Sequence, residues 1–351
     1  MKTVVPPHVL TAGDLKRLGR EMLGHAISGG PDAFDDLVER TCIERRFLSR
    51  PAEELVVPRA LEMTTSWHAE SALRLAKEAL VQAIDEAGVS RPEIDAIVAC
   101  CSTGFMIPSL DSYLINELGF PATTRRYPFT TLGCAGGAGG LIRAAEIACG
   151  LGDRGTVALV AVETPTLTFR PRDLSMQNVV SALLFGDGAS AMVVRSSPPP
   201  GRRSVFVKGS SSFLHRDTYD AMGFGVVPDG FKVQLSPKVP ELAARDLRSL
   251  VSALLKKAGS SVDELAFFAL HPGGPRVLKA VEAELGLTRA QTAASWKVLR
   301  EHGNMSSPTV MFVLAEILGS QPLPIGALGV MAAFGPGFAV ELALLEVTGP
   351  G

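Results

Sequence analysis

Apolar residues follow two spacings along the chain, one typical of helices and one typical of buried strands. Between residues 69 and 87 the apolar positions recur every three or four residues and end at Gly88, which predicts an amphipathic helix with a glycine C-cap. The short apolar run of residues 94–100 predicts a buried strand. Helical spacing recurs over residues 15–26 and 141–148. This alternation predicts an α/β fold around a sheet that contains parallel strands.

The unit of helix and strand occurs twice. In the second half of the chain, residues 246–255 have helical spacing, Gly259 follows as the C-cap, and residues 266–270 form an apolar strand. Each copy ends in a glycine turn before another apolar strand, and we interpret both turns as hairpins. These turns are Phe185-Gly186-Asp187-Gly188 and Phe334-Gly335-Pro336-Gly337.

A break between the copies lies at residues 198–201, which read Pro-Pro-Pro-Gly. We therefore predict two duplicated α/β halves that pack together, residues 1–204 and residues 205–351. A site at the interface between such halves draws side chains from both.

A glycine-rich corner surrounds Cys134, and helical spacing begins soon after it. At a helix N-terminus the dipole and the free backbone N–H groups lower the pKa of a thiol toward the nucleophilic thiolate. The alternative is a buried structural cysteine beside a tightly packed helix. Cys134 and Asn304 lie almost equally far from the C-cap glycines of their copies, Gly88 and Gly259. The repeat thus predicts that they occupy equivalent corners.

His271 follows an apolar strand and precedes a glycine turn, the end of a strand where open α/β sheets place ligands. Taken singly, His271 is a histidine in a turn and Asn304 an N-cap residue. Together with Cys134, they predict either acyl transfer through a thioester or decarboxylative carbon–carbon bond formation. In the second reaction, neutral donors stabilise an enolate where its charge develops.

Composition excludes several other classes of function. The net charge of −2 gives no basic surface for nucleic acid, and no apolar run reaches the length of a membrane span. The N-terminus lacks the apolar core of a secretory signal, so we expect a cytoplasmic protein. Five cysteines without a paired C-x-x-C spacing predict neither disulfides nor a metal site. Arg46 lies in a basic run that is either a solvated face or a contact for cofactor phosphates.

Several segments together resemble the type III polyketide synthases, the chalcone synthase-like branch of the thiolase superfamily. They are the corner around Cys134, residues 271–275, residues 303–307 and the two glycine turns that begin at Phe185 and Phe334. The resemblance implies a layered α-β-α-β-α thiolase-like fold and a homodimer. It also implies loading of an acyl-CoA starter, decarboxylation of malonyl-CoA, repeated extension and cyclisation, with no cofactor beyond the coenzyme A thioesters.

The resemblance also assigns residues. Cys134 matches the nucleophile of the family, and His271 and Asn304 match its catalytic histidine and asparagine. Phe185 matches the first of two gate phenylalanines, whereas the second position falls on Val233 unless a local shift brings Phe231 there. The other matches are Ser102, Ser306 and Pro336 in the cavity, Ile107 reaching into the partner's cavity, and Arg276, with Arg46, at coenzyme A.

Three alternatives are open at this point. A carrier-protein-dependent initiating ketoacyl synthase shares the three reactive residue types, but usually not the histidine loop or the Phe-Gly-Pro-Gly turn. A cysteine protease also uses these residue types, but it does not require the duplication. A non-catalytic scaffold has no reason to retain all three. The starter, the number of extensions and the product are left open by the sequence, and residues 164–181 and 201–230 differ from the family.

Overall fold

Helices and strands alternate along the chain as the apolar spacing predicts. A computed structural model describes residues 1–22, 27, 29–198, 201–320 and 322–349. Within these residues the helices are α1 (Ala12–Met22), α2 (Gly30–Arg40), α3 (Ala52–Leu55), α4 (Leu61–Ala87), α5 (Leu110–Leu118), α6 (Gly136–Gly150), α7 (Met176–Leu184), α8 (Val239–Ala244), α9 (Leu247–Lys257), α10 (Pro275–Leu285), α11 (Ala293–His302) and α12 (Thr309–Ser320). The strands are β1 (Lys2–Val4), β2 (His8–Thr11), β3 (Arg45–Leu48), β4 (Ala96–Cys100), β5 (Arg125–Phe129), β6 (Thr156–Glu163), β7 (Gly188–Arg195), β8 (Ser204–Leu214), β9 (Met222–Val227), β10 (Gly230–Leu235), β11 (Leu265–Leu270), β12 (Leu328–Gly335) and β13 (Ala339–Thr348). The predicted helix of residues 15–26 and the predicted break at 198–201 both extend into residues outside the described ranges.

Two sheets that share an order of four strands carry the duplication. The first sheet has the order β1-β7-β6-β4-β5, and the second has the order β8-β13-β12-β11. The pairs β4–β6 and β11–β12 are parallel, whereas the pairs that follow them toward β1 and β8 are antiparallel. The first sheet has one further strand, β5, which is parallel to β4. The predicted duplication is therefore confirmed in the topology. The second sheet begins with β8 at Ser204, next to the predicted division between residues 204 and 205.

Three hydrophobic cores hold five layers together, as the α-β-α-β-α prediction requires. Residues such as Leu75 of α4 and Leu114 of α5 pack on the outer face of the first sheet. Helices α6 and α12 fill the space between the sheets, for example through Ile142 and Val313. Helices α9 and α10 cover the opposite face of the second sheet, for example through Leu255. Each fully buried side chain of this kind contributes about 1.5–3 kcal/mol.

The longest helix, α4, begins at Leu61, eight residues before the predicted start at residue 69. Its first turns bury Thr64 and His68, and buried polar residues leave no apolar pattern in the sequence. Among the described helices, none has both the length and the apolar character of a membrane span.

Glycine allows the middle helices to approach each other. A Cβ atom at Gly137 of α6 would lie only 2.2 Å from the backbone oxygen of Ser307, just before α12. A glycine at this position removes that collision. The start of the helix that follows Cys134 can therefore lie directly against the segment that follows Asn304.

One predicted hairpin is wrong. The turn at residues 334–337 joins the antiparallel strands β12 and β13, as predicted. The turn at residues 185–188 instead follows helix α7, and β7 pairs with the distant strand β6. With no strand before it to form a hairpin, Phe185 forms a parallel bridge to Asn304 in the other half. The Asn304 N–H donates to the Leu184 oxygen at 2.9 Å, which links the two halves at the predicted site.

Candidate active site

Cys134 lies in a short 3-10 turn, Gly133–Ala135, that leads directly into α6. The predicted position at a helix N-terminus is therefore confirmed. Gly133 has a φ of 51°, and a Cβ atom there would lie 2.7 Å from the ring of Pro336. The corner thus requires glycine both for its backbone conformation and for its packing.

Asn304 lies beside the thiol, and both the oxygen and the nitrogen of its amide form hydrogen bonds with protein groups. Cys134 Sγ donates to Asn304 Oδ1 at 3.9 Å, and the Ser306 N–H donates to the same oxygen at 2.8 Å. Asn304 Nδ2 donates to the Gly273 oxygen at 3.3 Å, in the loop that follows His271. These contacts fix the orientation of the amide, and Nδ2 has a second N–H that can donate to a substrate.

His271 directly follows strand β11 and extends its pairing with β12. Its N–H donates to the Ala332 oxygen at 2.8 Å, and its side chain is 2% exposed. Within the described ranges, neither ring nitrogen has a hydrogen-bond partner. The imidazole therefore keeps its hydrogen-bonding capacity for a substrate.

Cys134, His271 and Asn304 line one cavity between the two halves, with an empty volume of about 700 Å³. The structure thus brings together the three side chains predicted to be reactive. Four other predicted residues, Phe185, Val233, Ser306 and Pro336, also line this cavity. Most of the remaining wall is apolar, which excludes water from charges that develop inside.

Burial controls the charges of the reactive pair. It raises the pKa of Cys134 to about 11, although its hydrogen bonds with Ser306 and Asn304 act in the opposite direction. It lowers the pKa of His271 to about 3. The predicted lowering of the thiol pKa is therefore wrong for the free protein, because burial outweighs the helix N-terminus. Transfer of the thiol proton to the imidazole would form a Cys134 thiolate and a His271 imidazolium in one step. These opposite charges stabilise each other.

Glu163 connects the two halves beneath the cysteine corner, and the sequence analysis missed it. At the end of β6, its Oε2 accepts from the backbone N–H groups of Ser102 and Thr103 and from Thr103 Oγ1, each at 2.8 Å. Its Oε1 accepts from Ser307 Oγ at 2.7 Å. Burial raises the pKa of Glu163 to about 7 despite these donors. A carboxylate after an apolar strand was the available signal, but its partners lie far away in the sequence.

Ser102 is not in the cavity wall, contrary to its predicted role. Its Oγ accepts from the backbone N–H of Gly133 at 3.1 Å and so supports the corner that carries Cys134. The neighbouring Thr103 lines the cavity instead. The residue that lines the cavity is therefore one position after the predicted one.

Strands β9 and β10 carry the two residues considered for the second predicted gate position. Val233 lines the cavity, whereas Phe231 is absent from its wall. The β9 residue opposite Val233 is Phe224, which lines the cavity as well. The rings of Phe224 and Phe231 meet edge to face, with 6.0 Å between their centroids. An aromatic side chain is thus present at this wall, but β9 supplies it.

The remaining predicted residues lie outside the cavity. Ile107 is 83% exposed on the loop after β4, and Arg276 is exposed in the first turn of α10. Arg46 is 1% exposed, donates through Nη1 to the Ala182 oxygen at 2.7 Å, and has its pKa lowered by burial to about 10. The structure contradicts a contact of Arg46 with coenzyme A phosphates at the surface, because its guanidinium does not reach solvent.

Comparisons with known proteins agree with this arrangement. Residues 33–198 match the family "Chalcone and stilbene synthases, N-terminal domain", and residues 210–348 match the corresponding C-terminal domain. The 1,3,6,8-tetrahydroxynaphthalene synthase of Streptomyces peucetius subsp. caesius is 34% identical over 98% of this chain and 91% of its own length. The phloroglucinol synthase of Pseudomonas fluorescens is 31% identical over 89% of this chain and 88% of its own length.

A solved structure extends the likeness to three dimensions. The tetrahydroxynaphthalene synthase of Streptomyces coelicolor A3(2), described as a bacterial type III polyketide synthase, has a TM-score of 0.93 at 30% identity. The match covers 99% of this chain and 98% of that one. With both family domains matched in order, the chain belongs to the chalcone and stilbene synthase family, and its fold is the thiolase-like fold of the type III polyketide synthases.

Proposed function

We propose that this protein is an acyltransferase that builds a polyketide from coenzyme A thioesters. The observation that carries the proposal is the meeting of a thiol, an imidazole and a neutral amide in one apolar cavity. The names of the relatives support an aromatic product, made by cyclisation of an extended chain.

In the first step, Cys134 Sγ attacks the carbonyl carbon of an acyl-CoA starter. The thiol proton passes to His271 and then to the departing coenzyme A thiolate, which leaves the acyl group on Cys134 as a thioester. Burial disfavours a lasting charge on either residue, so the proton transfer takes place as the substrate carbonyl reacts.

In the second step, malonyl-CoA loses carbon dioxide and becomes the enolate of acetyl-CoA. His271 and the second N–H of Asn304 Nδ2 donate hydrogen bonds to the enolate oxygen, whose charge develops as the carboxylate leaves. The enolate carbon then attacks the thioester on Cys134, and the thiolate departs. Repetition of loading and condensation extends the chain before it cyclises.

The proposal includes a homodimer in the cytoplasm, with Arg276 near the coenzyme A phosphates. Strand β5 is an edge of the first sheet, and β4, its neighbour, leads into a loop with exposed Phe105 and Ile107. An unpaired edge beside exposed apolar side chains favours a second copy as the partner. Arg276 lies five residues after His271 along the chain, in the first turn of α10, and has a side chain that suits phosphate binding.

Mass spectrometry of the products tests the proposal. The protein is incubated with malonyl-CoA and a panel of acyl-CoA starters, without any carrier protein. We expect cyclised polyketides from the wild type and from Cys149→Ala, an exposed cysteine of α6, and none from Cys134→Ala. A requirement for malonyl-carrier protein would instead indicate an initiating ketoacyl synthase.

A further inference from the structure

A second cavity, which we call the rear chamber, lies behind Phe185. Its walls come from α1, β2, β3, α3, α7 and the segment that follows β6. Phe185 and Pro165 line both the rear chamber and the cavity of Cys134. These two side chains therefore form a shared wall between the chamber and the reactive thiol.

The rear chamber is apolar except at one point. Leu15, Leu48 and Leu55 are among its walls, and each is less than 9% exposed. Its hydroxyl groups are already engaged with protein acceptors: Thr166 donates to Asp187, Thr168 to the Pro165 oxygen and Ser181 to the Gln177 oxygen. A ligand in the chamber would therefore find little unused polar capacity in these residues.

Arg46 is the exception, and among the described wall residues it is the single charged side chain. Nη1 donates to the Ala182 oxygen in the last turn of α7, a structural role that uses one of the five N–H groups of a guanidinium. Nε and Nη2 are buried without a partner in the part of the chain that the structure describes. The carboxylate of Asp187, which the wall residue Thr166 contacts, accepts hydrogen bonds from Ser49 and Thr166.

Burial of a guanidinium with unused N–H groups lowers the free energy of unfolding unless an anion accepts from those groups. A carboxylate matches the planar guanidinium with two parallel hydrogen bonds. We propose that the rear chamber binds the far end of an acyl chain that terminates in a carboxylate, with Arg46 as the recognising group. The methylene groups of such a chain lie against the leucine walls. Because its thioester end is held at Cys134 beyond Phe185, the assignment rests on the proposed function.

Binding of matched thioesters to Cys134→Ala protein, which cannot be acylated there, tests the chamber by calorimetry. The probes are suberoyl-CoA, with a terminal carboxylate, and its methyl ester, with the same chain and no charge. We expect suberoyl-CoA to bind about tenfold more tightly, the usual size of a charge-assisted hydrogen bond. Equal affinities for the two probes would overturn the proposal.

Variants of the chamber then locate the effect. Arg46→Met should abolish the preference for suberoyl-CoA, and Arg46→Lys, which keeps the charge but loses the fork, should reduce it. Ala52→Trp fills the chamber and leaves Arg46 in place, so it should abolish the preference while acetyl-CoA still binds. If Arg46→Met does not fold, the other two variants decide. A preference that survives in both would contradict the assignment.

The two proposals can fail separately. Binding is measured without turnover, so a preference for suberoyl-CoA that depends on Arg46 stands even if the wild type makes no polyketide. Polyketide synthesis from malonyl-CoA with equal binding of both probes would leave the proposed function in place and refute the rear chamber.

Discussion

Burial at single residues sets the chemistry of the cavity. Cys134 and His271 are both neutral in the free protein, because burial raises the pKa of the thiol and lowers that of the imidazole. Asn304 carries no charge at any pH and is oriented by Gly273 and Ser306. The Cys134 thiol is therefore activated only when the substrate reacts. The hydrogen-bond donors of His271 and Asn304 are in place before the substrate binds.

Glu163 makes stability depend on pH. Burial raises its pKa to about 7 from the ordinary 4.5, so its contribution to stability is complete below pH 4.5 and is lost as the pH rises through 7. We expect the stability of the wild type relative to Glu163→Gln to fall across this window, by up to about 1.4 kcal/mol per pH unit. Urea unfolding at pH 5 and pH 8 measures the difference, with the exposed Glu53→Gln as control. A difference that does not change with pH would contradict the buried carboxylate.

At the scale of elements, the pair β9–β10 controls the width of the cavity. Val233 and Phe224 are opposite each other in register, and cross-strand partners lie on the same face of a sheet. One large and one small side chain therefore share the space at this wall. We therefore expect the combined volume of these two side chains to determine which acyl chains fit the cavity, more than the identity of either residue.

Exchange of these two residues tests this reading. Val233→Phe places a second ring in the wall, opposite Phe224 on the paired strand. It should lower kcat/KM for decanoyl-CoA relative to hexanoyl-CoA. Phe224→Val should raise the same ratio, and the double variant Phe224→Val/Val233→Phe should return it toward that of the wild type. Malonyl-CoA decarboxylation should change little in all three. If the double variant keeps the lowered ratio of Val233→Phe, the two positions do not share one space.

Helix α6 provides the second test at this scale. Gly137→Ala forces a Cβ atom to within 2.2 Å of the Ser307 oxygen, and such overpacking costs about 1–3 kcal/mol. Gly150→Ala, at the other end of the same helix, meets nothing within 4 Å and should stabilise the protein slightly through helix propensity. Thermal unfolding of both variants compares them. A melting temperature that is unchanged by Gly137→Ala would contradict the close approach of α6 and the segment before α12.

At the scale of the whole molecule, apolar spacing and repetition predicted the duplicated α/β layers, because buried helices and strands leave periodic patterns. The same spacing placed Cys134, His271 and Asn304 at strand ends and corners that meet in one cavity. It did not predict Glu163, whose partners Ser102 and Ser307 are distant in sequence and lie in different halves. Long-range contacts of this kind leave no local pattern.

The wrong predictions concern features that depend on contacts between distant parts of the chain. The turn after Phe185 was mistaken for a hairpin because its glycines have the composition of one, although a helix precedes it. Arg46 was interpreted as a surface contact because charge is usually exposed, yet it is buried against α7. The raised pKa of Cys134 depends on the depth of the cavity, a property of the assembled halves rather than of the corner.

The exposed loop after β4 makes the proposed dimer testable. Ile107 is 83% exposed, so in a lone subunit Ile107→Asp places a charge in solvent at little cost. At an interface between two copies the same charge would be buried and unpaired, and the dimer should dissociate. Sedimentation velocity compares this variant with Tyr219→Asp, whose side chain is also exposed and lies between β8 and β9. A dimer that persists in Ile107→Asp would place the interface elsewhere.

The most direct measurement of the central claim separates loading from decarboxylation. Wild type, Cys134→Ala and Asn304→Ala are each incubated with hexanoyl-CoA for peptide mapping and with malonyl-CoA for release of acetyl-CoA. We expect a hexanoyl thioester on Cys134 in the wild type and residual decarboxylation in Cys134→Ala. We also expect decarboxylation reduced by about a hundredfold in Asn304→Ala. A thioester on another cysteine, or equal loss of decarboxylation in both variants, would contradict the central claim.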